Sequence, residues 1–225
     1  MFRKRRKRIK VRKRRVGNRR KMQLYLRVGV AILTILCLYF GVTRFMNRDK
    51  YIERTGRGID ETRPEMDVRL LTENEYSRPG TKTGRINNIV IHYTANPGST
   101  AMQNRDYFEG LKENHLTKAS SHFVVGIEGE IVQCVPTWEV AYASNHRNGD
   151  TVSIETCHPK EDGKYTKETY RSLVELTAWL CKKFDLNEED VIRHYDVTGK
   201  ICPKYFVENE GAWKQFKEDV KEQLK

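Results

Sequence analysis

The stretch "NNIVIHYTANPGST", residues 87–100, reads as one apolar strand delivered into a loop. Ile89, Val90 and Ile91 form a short β-branched run bounded by asparagines on one side and turn residues on the other, the pattern of a strand. His92 closes the run, and Ala95, Asn96, Pro97 and Gly98 follow it as turn formers. A histidine at the end of a core strand, beside a loop, stands where a site can open.

A second segment repeats that arrangement. In "RHYDVTGKICP", residues 193–203, His194 follows the short apolar run "VIRH" and Cys202 lies eight positions further on. Lys200 stands two residues before the cysteine and Pro203 directly after it. Two imidazoles and one thiolate make a borderline-soft donor set suited to zinc. Three protein ligands are what a catalytic zinc takes, with a fourth position left for water. A lone histidine is more often structural than a ligand, so spacing alone leaves the triad of His92, His194 and Cys202 open. His115, His146 and His158 lie in polar stretches and read as exposed.

Around these segments the chain alternates strand and helix signals. "SHFVVGI" (121–127), "EIVQCVP" (130–136) and "TVSIETC" (151–157) are rich in Val and Ile, and "GIEGEIV" joins the first two as a hairpin about Glu128 and Gly129. "AMQNRDYFEGLKEN" (101–114) has helical apolar spacing. A longer helix is predicted over 166–186, with Thr166 and Thr169 near its start and Leu173, Leu176, Ala178, Leu180 and Phe184 on its apolar face. A final amphipathic helix covers 212–224. Strands and helices in this mixed order imply an α/β sheet flanked by helices.

The formal charge of +12 invites a nucleic-acid reading, which its distribution removes. Residues 1–48 hold 17 of the 42 basic residues and no acid, leaving 25 basic against 30 acidic residues in the remainder. Nucleic acid is therefore not an expected partner. Residues 1–23 read as a basic cytoplasmic arm. Val28 to Thr43 is a run of sixteen uncharged residues, and with the residues before it, it reaches the ~20 that a transmembrane helix needs. The expectation is an uncleaved anchor over 24–43, placed in the cell membrane as a single pass, with the N-terminus cytoplasmic and the rest extracytoplasmic. Residues 44–84, polar and punctuated by proline and glycine, read as a linker and lead-in, and 85–225 as the functional domain. Cysteines at 37, 134, 157, 181 and 202 form no close-spaced pair, and Cys134, Cys157 and Cys181 fall in apolar runs, as small buried hydrophobes do.

Taken together, "NNIVIHYTANPGST", "SSHFVVGIEGEIVQCVP", "VSIETCHP" and "RHYDVTGKICP" resemble the type-2 N-acetylmuramoyl-L-alanine amidase family, over roughly residues 66–220. That family is related to phage amidase lysozymes and peptidoglycan-recognition proteins. The resemblance implies a central mixed β-sheet packed by helices, with a zinc ion at the floor of an open groove. It maps the zinc ligands onto His92, His194 and Cys202, and makes peptidoglycan the substrate.

Glu155 sits inside an apolar strand, where a carboxylate is costly unless it is paired or used. A structural ion pair is one reading; the resemblance implies a general base. Lys200 would face solvent on its loop by default, whereas the resemblance assigns it to the oxyanion. Phage-type relatives carry a tyrosine before the histidine–phenylalanine pair, where this chain has Ser120 and Ser121. His122 is then expected in the cleft or behind the metal, and Tyr93, Asn96, His122 and Asn145 are expected to line the substrate groove. Two other readings stay open: a noncatalytic peptidoglycan-recognition module on the same fold, and a structural zinc site closed by His122. A monomer is expected.

Overall fold

A computed structural model describes residues 25–30, 32–34 and 60–225. The chain divides into two units, Met1–Glu53 and Arg54–Lys225. In the first, 25–30 and 32–34 are helical. The expected transmembrane anchor and the single-pass membrane localisation that rested on it are corrected here. Among the described residues no helix is long and apolar enough to cross a membrane. The basic arm at 1–23 and the rest of the expected span lie outside the described residues.

In the second unit, six strands form one sheet: β1 (Asp67–Val68), β2 (Asn88–Ile91), β3 (Phe123–Val125), β4 (Ile131–Gln133), β5 (Thr151–Thr156) and β6 (Val191–Arg193). Their order is β1-β4-β3-β5-β2-β6. The sheet is mixed, because β3 and β4 run antiparallel while the other neighbours are parallel. That one antiparallel pair is the expected hairpin. Gly129 turns it with φ +87, and a Cβ there would stand 2.9 Å from the Glu168 carbonyl oxygen, so no larger residue fits.

Burial explains the apolar runs. Ile89, Val90 and Ile91 in β2 are fully buried, as are Val152 and Ile154 in β5. Parallel strands covered on both faces lose the alternation of a half-exposed strand and read as continuous hydrophobic stretches. One covering helix is α1 (Ala101–Asn114), opened by a capping box between Thr100 and Gln103 and closed by His115 at φ 55. Its Phe108 and Leu111 pack with Leu71, Val124, Val132 and Val135.

Helix α2 (Lys167–Phe184) starts where the Thr166 side chain accepts the Thr169 N–H, and it buries Leu173, Leu176, Ala178, Leu180 and Phe184, the apolar face expected of it. Two short helices, α3 (His194–Thr198) and α4 (Lys204–Glu208), lead into α5 (Glu210–Leu224), whose Trp213, Phe216 and Val220 are buried. Phe206 stacks 5.1 Å from Phe216 and 5.3 Å from Trp213, tying α4 to α5.

Part of the segment read as linker and lead-in is built into this unit. β1 pairs with β4, Leu71 is 1% exposed, and Arg78 donates to both carboxylate oxygens of Glu139 at 2.7 and 2.9 Å. The polar composition that suggests a linker hides this packing, because the half-buried charge of Arg78 is matched by a partner 61 residues away.

Strand register sets where the site forms. Ile91 pairs with Ile154 on one side and with Arg193 on the other. One residue past these pairs stand His92, Glu155 and His194, side by side at the carboxyl ends of three adjacent parallel strands. The His92 N–H still bonds the Ile154 carbonyl at 2.8 Å, which carries the ladder to that residue. In open α/β sheets the crevice outside the strand carboxyl ends is where ligands bind.

Candidate metal centre and cleft

His92, His194 and Cys202 each offer one donor atom, and these three atoms lie within 4.8 Å of one another. Two come from the ends of β2 and β6. The third arrives by a reversal of the chain: α3 closes at Gly199 (φ 77), the Cys202 N–H bonds the Lys200 carbonyl at 2.7 Å, and the Tyr195 N–H bonds the Cys202 carbonyl at 2.8 Å. Asp196 accepts the Arg193 backbone N–H at 2.8 Å and its guanidinium at 2.9 Å, which starts α3 at His194.

The imidazole rings of His92 and His194 lie 4.6 Å apart, and His92 Nδ1 is 3.8 Å from Cys202 Sγ. His92 Nε2 faces Ser144 Oγ at 3.4 Å, and His194 Nε2 faces Asn145 Oδ1 at 2.8 Å. Thr156 Oγ1 donates to the His92 carbonyl at 2.6 Å, fixing the backbone behind the ring.

These donors share a cleft of about 170 Å³ with Tyr93, Glu155 and Lys200. Burial pushes the Glu155 carboxyl up to about 7, and the Lys200 charge opposes that rise only in part. Its Oε2 is buried with no hydrogen-bond partner. Burial also holds His92 well below the usual imidazole range, helped by the positive potential of His194 and Lys200, and pushes the Cys202 thiol up to about 12.

The donor set fits a divalent metal. Buried imidazoles stay neutral and keep a lone pair free, and the cost of burying a thiolate is offset when a cation coordinates it. Two nitrogens and one sulfur match zinc's preference, and three ligands leave a position open towards the cleft.

The remaining expected site residues separate. Tyr93 lines the cleft. Asn96 is exposed on the loop after β2, where its carbonyl accepts the Ser99 N–H and hydroxyl, and it does not line the cleft. The structure also corrects the placement of His122. It is 1% exposed, with Nδ1 3.0 Å from Ser153 Oγ and Nε2 2.9 Å from the Glu139 carbonyl. With both ring nitrogens engaged inside the fold, His122 has none left for substrate or for closing a four-ligand zinc site. Asn145 faces His194 rather than the groove.

His158 departs from its expected exposure. It is 1% exposed, bonds the Lys160 carbonyl through Nδ1 at 2.7 Å and stacks 5.2 Å from Tyr93. Its place directly after the buried Cys157 is the one signal in the sequence that could have placed it inside. Cys134, Cys157, Cys181 and Cys202 are all free and buried, the first three as expected of small hydrophobes.

A mixed sheet with two histidines and a glutamate at its strand ends, and a cysteine folded back beside them, defines the class: an α/β protein with a candidate metal centre in an open cleft. The family model described as N-acetylmuramoyl-L-alanine amidase matches residues 82–205, and the chain belongs to that family. It is 38% identical over 160 residues to N-acetylmuramoyl-L-alanine amidase CwlL of Bacillus licheniformis, covering 65% of this chain and 44% of that protein. With N-acetylmuramoyl-L-alanine amidase BlyA of Bacillus subtilis (strain 168) it shares 33% identity over 172 residues, covering 67% of this chain and 45% of that protein. The chain thus spans less than half the length of these curated relatives.

Among solved structures, PlyL superposes with a TM-score of 0.61 at 22% identity, covering 70% of this chain and 98% of that one. The catalytic domain of XlyA gives 0.60 at 24%, covering 70% and 99%. These likenesses establish the fold.

Proposed function

We propose that this chain is a zinc-dependent amidase that hydrolyses the bond between the lactyl group of N-acetylmuramic acid and L-alanine in peptidoglycan. The observation that carries the reading is the meeting, in one cleft, of His92, His194 and Cys202 with a glutamate whose buried Oε2 has no partner. The names of the curated relatives supply the reaction. His92, His194 and Cys202 would hold the ion. When bound, zinc supplies a Lewis acid for the amide carbonyl and lowers the pKa of water.

The chain's own residues supply the rest. Glu155, held in an apolar strand with one free oxygen, takes the proton of the attacking water and passes one to the departing amine of L-alanine. Its elevated pKa of about 7 suits both halves of that exchange. Lys200, on the cleft wall, offers a cation to the oxyanion that forms as the carbonyl becomes tetrahedral. Tyr93 is braced from behind by His158 and gives the cleft a rigid aromatic wall against which the substrate is oriented.

The test is a digest of purified peptidoglycan by the full chain, scored for new L-alanine amino termini. They are expected with zinc, and lost on chelation and in Glu155→Gln. A folded, zinc-loaded chain that binds the wall but releases none would overturn the reading in favour of a recognition module.

A further inference from the structure

Each histidine of the candidate centre has its outer ring nitrogen held by one of two consecutive residues. Ser144 Oγ lies 3.4 Å from His92 Nε2, and Asn145 Oδ1 lies 2.8 Å from His194 Nε2. We propose that Ser144 and Asn145 are positioning residues that hold the rings of His92 and His194, Asn145 also fixing the tautomer of its ring, so that both rings turn Nδ1 towards the metal. The proposal rests on the metal-centre reading above and extends it to residues that make no metal contact.

A neutral imidazole carries one N–H and one lone pair, and an acceptor at one nitrogen places the proton there. The Asn145 carbonyl oxygen can only accept. His194 Nε2 therefore carries the hydrogen and Nδ1 keeps the lone pair. For His92 the same outcome follows from position, because Nδ1 is the nitrogen facing Cys202 Sγ at 3.8 Å. Partners of this kind orient a metal-bound histidine and raise its basicity.

The turn that carries the pair is itself anchored. Asn148 Oδ1 accepts the backbone N–H groups of Ala143 and Ser144 at 3.1 and 2.6 Å. Arg147 bonds Asp150 at 2.8 Å and Asn88 Oδ1, at the start of β2, at 2.6 Å. Ser144 is 1% exposed, and Asn145 adopts φ 54, a left-handed conformation that asparagine tolerates better than most residues. The turn is thus tied to the strand that delivers His92, and its next residue reaches across to the helix that begins at His194. One short segment aligns two ligands that are 102 positions apart in the chain.

The test compares the full chain with Ser144→Ala, Asn145→Gly and Asn145→Asp. Glycine removes the amide while keeping the left-handed backbone, and aspartate restores an acceptor that cannot donate. Zinc affinity is read by competition with a chromogenic chelator, ring protonation by nitrogen-15 NMR of the zinc-loaded protein, and folding by the melting temperature of the metal-free form. Ser144→Ala and Asn145→Gly are expected to weaken zinc binding about 10–100-fold with the metal-free melt unchanged, Asn145→Asp to retain it, and both wild-type rings to carry their proton on Nε2.

Unchanged zinc affinity in Ser144→Ala and Asn145→Gly, or a proton found on Nδ1, overturns the proposal. Asn145→Gly losing cleavage but not zinc would overturn it too, and would return Asn145 to the substrate groove. A wild-type chain that takes up no zinc sinks the metal-centre reading itself, a result distinct from these.

Discussion

Two glutamates of this fold, Glu139 in the loop after β4 and Glu155 near the end of β5, are treated in opposite ways. Glu139 is 8% exposed and receives both arms of the Arg78 guanidinium, which also bonds the Leu71 carbonyl. Glu155 is half-buried at the cleft, its Oε2 enclosed and unmatched, and burial lifts its pKa to about 7. A carboxylate kept for structure is satisfied by its surroundings, as the high cost of an unpaired buried charge requires. A carboxylate left short of a partner is a group held ready for a reactant. The contrast supports the role proposed for Glu155 without reference to any relative.

Glu155→Gln should draw that separation most sharply. Peptidoglycan turnover is expected to fall about 10²–10⁴-fold, the range for losing a general acid–base, while the thermal melt stays at or above the parent value. A melt that collapses with the activity would make Glu155 a structural residue. Arg78→Met should do the reverse, destabilising the fold by about 3–5 kcal/mol because Glu139 is left buried and unpaired. Chemical denaturation measures that loss, and turnover per folded molecule should hold; a loss near zero would erase the distinction between the two sites.

A third carboxylate, Glu109, lies between these extremes. Burial alone would raise it, but hydrogen bonds from Lys112 and Thr72 outweigh that and hold its pKa at about 2. A carboxylate with a depressed folded pKa contributes stability above its unfolded value of ~4.5, and that contribution is lost as pH falls towards 2. Denaturation midpoints compared across pH 2–5 should show Glu109→Gln lacking part of the acid-induced loss seen in the parent, with a total effect of about 3 kcal/mol. Identical pH dependence in the two proteins would show that its partners leave the carboxylate unperturbed.

His92 and His194 are legible as strand-end residues because each terminates an apolar run, a local feature that survives without coordinates, whereas joining them with Cys202 as a candidate triad takes the family resemblance. The strands β2, β3, β4 and β5 and the long helices are legible for the same reason, since burial on both faces writes itself into continuous Val and Ile runs. What is missed is carried by long-range contact. β1 has two residues, both exposed, so neither a period nor an apolar run marks it.

Ser144, Asn145 and Arg78 act on partners 52, 49 and 61 positions away, and nothing in their own neighbourhoods announces it. His158 looks polar because its neighbours Pro159, Lys160 and Glu161 are, yet its ring turns inward against Tyr93. The membrane expectation fails differently. It uses hydropathy and length alone, and among the described residues no helix is long and apolar enough to cross a membrane.

The register that sets His92, Glu155 and His194 abreast has an evolutionary consequence. Side chains along a strand alternate between faces, so removing a single residue within β2, β5 or β6 would swing that strand's contribution out of the cleft. The loops between them carry no such restriction and can lengthen or shorten at small entropic cost. A lineage built on this sheet can therefore diversify what it grips by editing loops, while the three cleft positions stay locked to one rung of the ladder. Indels recorded among descendants of such a scaffold should cluster between strands and be absent within them.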